Sequence, residues 1–159
     1  SDKKNLAVKD LLYHQSGLLG VSGRSSEPRV LQPLESHTDD EGRRVDEALA
    51  LYVRRLVREI GALVAVLGGL DLLVFTAGVG EHNAFIRQRV CNALGFLGII
   101  LDDAANAADA PLISAAGSPV AVGVEPTNEE WVAARSALSV LATCDPGATP
   151  ALLPMHEES

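Results

Sequence analysis

The sequence predicts an α/β fold, and three observations carry that prediction. Leu72-Leu73-Val74-Phe75 is a short apolar run of strand formers, too short for a helix and closed by glycines, as suits a strand inside a parallel sheet covered on both faces. A second short run at residues 120–124 leads, like the first, through a brief loop into a helical pattern. Around these runs, apolar residues recur at intervals of three and four, the spacing of helices that pack one face on a core.

At 159 residues and 47% hydrophobic, the chain can bury one sizeable core, so one compact domain over residues 1–145 is expected. Pro146, Gly147, Pro150 and Pro154 then predict a flexible tail at 146–159. A formal net charge of -8 leaves nothing basic and clustered to neutralise a phosphate backbone, which sets nucleic acid aside as a partner. Cys91 and Cys144 lack CxxC spacing and fit a reducing cytoplasm better than a disulfide-stapled secreted domain. The start, Ser1-Asp2-Lys3-Lys4, carries no apolar leader, so no signal peptide is expected. Residues 60–80 approach the length of a membrane span. Their glycines, Asp71 and the change of pattern at Gly68-Gly69 divide them instead into the end of a helix and the start of a strand, so no membrane is expected as a partner.

In chain order, a short helix is expected over residues 5–15, with Leu6, Leu11 and Leu12 apolar. Glycines, small residues and Pro28 then forbid regular structure of any length over 16–33; a loop of that size is commonly functional or disordered, and Leu18, Leu19 and Val21 give it something to bury. Thr38-Asp39-Asp40-Glu41 is a capping box, and the stripe Val45, Ala48, Leu49, Tyr52, Val53, Leu56, Val57, Ile60, Leu63, Val64 and Leu67 continues as one long helix. Gly68-Gly69 ends it. The stripe is wide enough for a sheet and a second helix, which leaves room for a dimer contact.

Asn83 should cap a helix that closes near Gly95, followed by an extended segment to Asp102 and an Ala-rich, weakly helical connector to Asp109. Residues 111–114 and 120–124 read as two short strands around Ala116-Gly117-Ser118-Pro119, a hairpin or strand pair. A last helix carries Ala134, Leu138 and Leu141; Thr127 and Glu130 form its capping box, leaving Glu129 to face outward.

Gly78 and Gly80 let the backbone take positive φ and let a ligand approach its N–H groups, and the helix start after Asn83 offers free donors. No Gly-Lys-Ser/Thr follows and a third glycine is missing, so neither a Walker A loop nor a dinucleotide fingerprint is present. The local pattern leaves a tight turn and a nucleotide site both open. Glu129 likewise serves either a ligand or the helix dipole. If the two strands are parallel neighbours, the Gly78-Gly80 loop and the loop at 126–130 share one rim of the sheet, where α/β proteins bind ligands.

Three separated motifs, in order, resemble the C-terminal half of the acetate and propionate kinases, members of the actin-like ATPase (ASKHA) superfamily. They are Ser16-Gly17-Leu18-Leu19-Gly20-Val21-Ser22-Gly23 with Ser25-Ser26-Glu27-Pro28-Arg29, Phe75-Thr76-Ala77-Gly78-Val79-Gly80-Glu81 with Ile86-Arg87, and Pro126-Thr127-Asn128-Glu129-Glu130. The resemblance implies a ribonuclease H-like, actin-like ATPase domain with a mixed sheet flanked by helices. It implies that Gly78, Val79, Gly80, Glu81 and His82 wrap ATP or ADP, that Glu27, Pro28 and Arg29 stand at the adenosine, and that Glu129 helps place Mg2+. It also implies a cytoplasmic homodimer acting on acetate or propionate. No catalytic residue is assigned, because the groups around the transferred phosphoryl belong to the family's N-terminal half; this chain alone is expected to be inactive. Two departures stand out: Glu27-Pro28-Arg29 replaces the usual Asp-Met-Arg, and His82 replaces the Asn after Gly-x-Gly-Glu. The competing expectation is a self-associating module without chemistry; a dinucleotide oxidoreductase domain is disfavoured by the missing glycine.

Overall fold

A computed structural model of the chain describes residues 2–144, in two compact units that divide between Pro126 and Thr127. The tail expected at 146–159 lies outside the described residues. The first unit holds helices α1 (Asp2–His14), α2 (Gly17–Ser22), α3 (Pro28–Leu31) and α4 (Asp40–Leu67), then strand β1 (Leu72–Thr76). Helices α5 (Ala77–His82), α6 (Ala84–Ala93) and α7 (Asp103–Ala107) and strand β2 (Ala121–Glu125) complete it. Helix α8 (Glu129–Cys144) belongs to the second unit.

The stretch at 16–33 is more regular than its composition predicts. Gly17 and Gly23 take the left-handed conformation at its turns, and between them α2 turns Leu18 and Val21 onto the core. Pro28 opens α3 as its first residue, where a missing N–H costs nothing because the first turn has no acceptor for it. Burial of these few apolar side chains outweighs poor local propensity.

α4 begins one residue later than the capping box suggests: Asp39, whose Oδ1 accepts from the Gly42 N–H at 2.9 Å, is the cap. That donor holds the Asp39 carboxyl below its ordinary range. The helix ends as expected at Gly68, in the left-handed conformation, with its N–H on the Val64 carbonyl. Val45, Ala48, Leu49 and Val53 are buried, and with Leu31, Ile86, Val90, Leu94, Ile113 and Val122 they form the core. Each fully buried Leu, Ile or Val side chain there contributes roughly 1.5 to 3 kcal/mol.

β1 and β2 pair in parallel, in register from Leu72 opposite Ala121 to Thr76 opposite Glu125. The expected hairpin is present in reduced form: the Ile113 N–H donates to the Val122 carbonyl at 2.8 Å and the Val124 N–H to the Pro111 carbonyl at 3.0 Å, an antiparallel pairing beside β2. Gly123 permits that approach, since a Cβ there would lie 3.3 Å from the Pro111 carbonyl oxygen. One expectation fails. β1 is not covered on both faces: Leu73 and Phe75 pack on the core, while Leu72 and Val74 are 53% and 46% exposed. Alternate side chains point to opposite faces, and among the described residues only one face of β1 is covered. Among the same residues no helix is long and apolar enough to cross a membrane.

Candidate functional site

The parallel register sets the C-terminal ends of β1 and β2 side by side, so the turn after Thr76 and the exit at Glu125 share one rim of the first unit. The expected glycine loop at this rim is a short helix. The left-handed residue of the turn is Ala77, at φ 58°, and neither Gly78 nor Gly80 has positive φ. A non-glycine residue in that conformation costs about 1 to 2 kcal/mol. The glycines serve other ends: a Cβ on Gly80 would lie 3.3 Å from the Phe75 carbonyl carbon, while one on Gly78 would meet nothing within 4 Å. Gly80 therefore lets α5 fold back against β1, and Gly78 leaves the rim open.

A helix this short ends in carbonyls with no partner of their own. Arginines supply partners. Arg87 donates from Nη1 to the Gly80 carbonyl at 2.8 Å and to the Glu81 carbonyl at 2.7 Å. Arg29 donates from Nη2 to the Gly78 carbonyl at 3.3 Å. The Glu27-Pro28-Arg29 motif and the glycine motif thus meet at one segment, through residues 49 positions apart in sequence.

The remaining expected residues take distinct positions. Glu27 precedes α3 as its cap position, Pro28 is buried, and Arg29 is exposed. Val79 packs partly against the core, the Glu81 side chain is 13% exposed, and the His82 ring is 60% exposed with Nε2 3.8 Å from Glu81 Oε2. Asn83 caps α6 as expected, its Oδ1 accepting from the Ile86 N–H at 3.1 Å. It is 3% exposed, and its Nδ2 is a buried donor without a hydrogen-bond partner among the described residues. Glu129 is the first residue of α8, in the second unit. At that helix start the Asn128 Oδ1 accepts from the Trp131 N–H at 2.8 Å.

Sequence reasoning noted Arg87 only as part of a motif. Its surroundings are the larger discovery: the guanidinium is fully buried, with Nε on Asn106 Oδ1 at 2.8 Å and Nη2 on the Asn106 carbonyl at 2.7 Å and on Asp109. A signal was available, since Arg87 stands among Ile86, Val90 and Cys91 on the buried face of α6. Nearby, burial pushes the Cys91 thiol up to about 11, with Arg87 opposing the shift. Glu35 is also raised, by burial and then by its hydrogen bond with Asp46, although Arg89 pairs with it. His37, Asp39 and Glu41 bring ligand atoms within 4.8 Å of one another, but Asp39 caps α4 and Glu41 pairs with Arg24, so the group secures a helix start.

Two parallel strands that end at one rim, with a strained turn and an arginine-bound glycine segment after β1, define an α/β protein. Known structures agree. The crystal structure of acetate kinase from Entamoeba histolytica superposes with a TM-score of 0.77 at 34% identity, covering 84% of this chain and 36% of that one. That of a propionate kinase from Francisella tularensis superposes with a TM-score of 0.70 at 30% identity, covering 79% and 31%. An acetate kinase from Rhodopseudomonas palustris (strain TIE-1) is 48% identical over 130 residues, 80% of this chain and 31% of its own length. Residues 2–135 match the Acetokinase family, and the chain belongs to that family. It spans about a third of the length of these relatives.

Proposed function

We propose that the chain is the nucleotide-binding and dimerising part of the C-terminal half of a cytoplasmic acetate kinase, with residues 1–145 as that domain. The complete enzyme moves a phosphoryl group between ATP and acetate: a carboxylate oxygen bonds to the γ-phosphorus as the bond to the β-phosphate oxygen breaks, giving acetyl phosphate and ADP. Propionate is the alternative acceptor. The observation that carries this reading is the Arg29 contact with Gly78, which joins the two motifs expected to hold the nucleotide.

The residues present fit such a ligand. Arg29 is an exposed, permanent cation at the rim, suited to a phosphate or ribose oxygen. Gly78 presents bare backbone beside it, Val79 and Gly80 support that backbone, and Glu81 and His82 close the segment. Pro28 fixes the chain direction between Glu27 and Arg29, so its missing N–H is offset by a rigid helix start. Glu129 supplies a hard carboxylate oxygen of the kind Mg2+ prefers, and the ion would neutralise charge on the phosphates. The transfer chemistry itself is assigned to residues outside this chain. Calorimetric titration with ADP and ATP, with and without magnesium, tests the binding claim, and acetyl phosphate formation by the protein as its gene encodes it tests the activity. A protein that takes up no nucleotide has neither.

A second reading, a self-associating module without chemistry, is favoured by the apolar end of α4, where Leu63, Val66 and Leu67 are exposed. It predicts a dimer in sedimentation equilibrium and no magnesium-dependent heat with nucleotide.

A further inference from the structure

The Arg87 guanidinium has five N–H donors, and the structure gives it five acceptors: the Gly80 and Glu81 carbonyls, the Asn106 side-chain and backbone oxygens, and Asp109. A fully buried fork with every donor engaged has nothing left for a ligand. Its geometry is nevertheless rigid, so it transmits the position of whatever holds it. Asn106 extends the connection, since it is 4% exposed and donates from Nδ2 to the Ala84 carbonyl at 3.0 Å. The end of α5, the start of α6 and the end of α7 are thereby locked to one another around a single side chain. Asp109 closes the lock from a left-handed backbone conformation, φ 51°, that an aspartate tolerates better than most residues.

We propose that Arg87, Asn106 and Asp109 are positioning residues that set the nucleotide-binding shape of the glycine segment from behind, so that the connector after α6 governs nucleotide affinity without touching the nucleotide. The inference rests on the nucleotide reading above. It separates two tasks along the segment: the Gly80-Glu81 end is held from within, and the Gly78 end stays exposed beside Arg29.

The test uses the protein as its gene encodes it, with Asp109→Asn and Arg87→Lys as variants. Magnesium ADP titration is combined with amide hydrogen exchange over residues 77–83, measured without nucleotide. Asp109 is 42% exposed, so Asp109→Asn keeps the test alive if Arg87→Lys fails to fold. The expected result is about a tenfold weaker Kd for ADP, a readily measured difference, together with faster exchange at 77–83 and unchanged exchange in β2. Unchanged Kd in a folded variant overturns the proposal, even if its unfolding midpoint falls, because that is the mark of a purely structural role. Weaker binding without faster exchange at 77–83 overturns it as well. If the unaltered protein binds no ADP, the nucleotide reading fails first and this inference falls with it.

Discussion

Arg29 and Arg87 both donate to carbonyls of the same six-residue helix, yet they are opposites in every other respect. Arg29 is exposed and reaches Gly78 at 3.3 Å; Arg87 is fully buried and grips Gly80 and Glu81 at under 2.9 Å while Asn106 and Asp109 hold it in place. A buried charge is tolerable only when its donors are satisfied, so Arg87 is bound to its shell, and losing either side leaves the other stranded. An exposed arginine loses little when one contact goes, because water replaces it. The difference teaches that one end of the glycine segment is held from within and the other is exposed among the described residues.

The largest expected effect comes from breaking the buried side. Arg87→Met leaves two carbonyls, Asn106 and Asp109 without their donor and should cost about 3 to 5 kcal/mol, read from urea unfolding. Gly80→Ala presses a methyl group on the Phe75 backbone and should cost about 1 to 3 kcal/mol, whereas Gly78→Ala should stay within about 0.5 kcal/mol. Equal effects at the two glycines would erase the distinction between the two ends. Asn83→Ala removes the α6 cap and should cost about 1 kcal/mol. Arg29→Ala should shift stability by no more than about 0.5 kcal/mol while weakening ADP binding several-fold by calorimetry.

A pH measurement sharpens the same contrast on the buried side. The Cys91 thiol, raised by burial from 9.0 to about 11, keeps its proton in the folded state where the unfolded chain releases it. The folded state then binds more protons, so stability should fall as pH rises from about 9 to about 11, with no contribution below that window. Cys91→Ala should flatten the alkaline slope.

Much of the fold was legible before any coordinates. The span of α4, its glycine stop, the Asn83 cap and the strand pair follow from periodicity and capping chemistry, which act over four or five residues. The same periodicity does not fix coverage. Val45 and Leu49 are fully buried, yet Leu63 and Leu67, on the same stripe, are 63% and 72% exposed. A stripe shows which face is apolar, and what lies against it depends on other parts of the chain. The glycine segment was misread for a related reason: glycine suggests positive φ, but here Ala77 takes the left-handed turn and Gly80 answers a close approach to Phe75.

From the sequence alone come the α/β class and the three motifs of the acetokinase family, because local propensity and motif spacing are written in consecutive residues. Tertiary structure alone decided that Arg29 meets Gly78, that Arg87 is saturated by Gly80, Glu81, Asn106 and Asp109, and that among the described residues one face of β1 is uncovered. Those facts join residues up to 49 positions apart, and only the folded chain determines which of the many available donors and acceptors are brought within hydrogen-bond range.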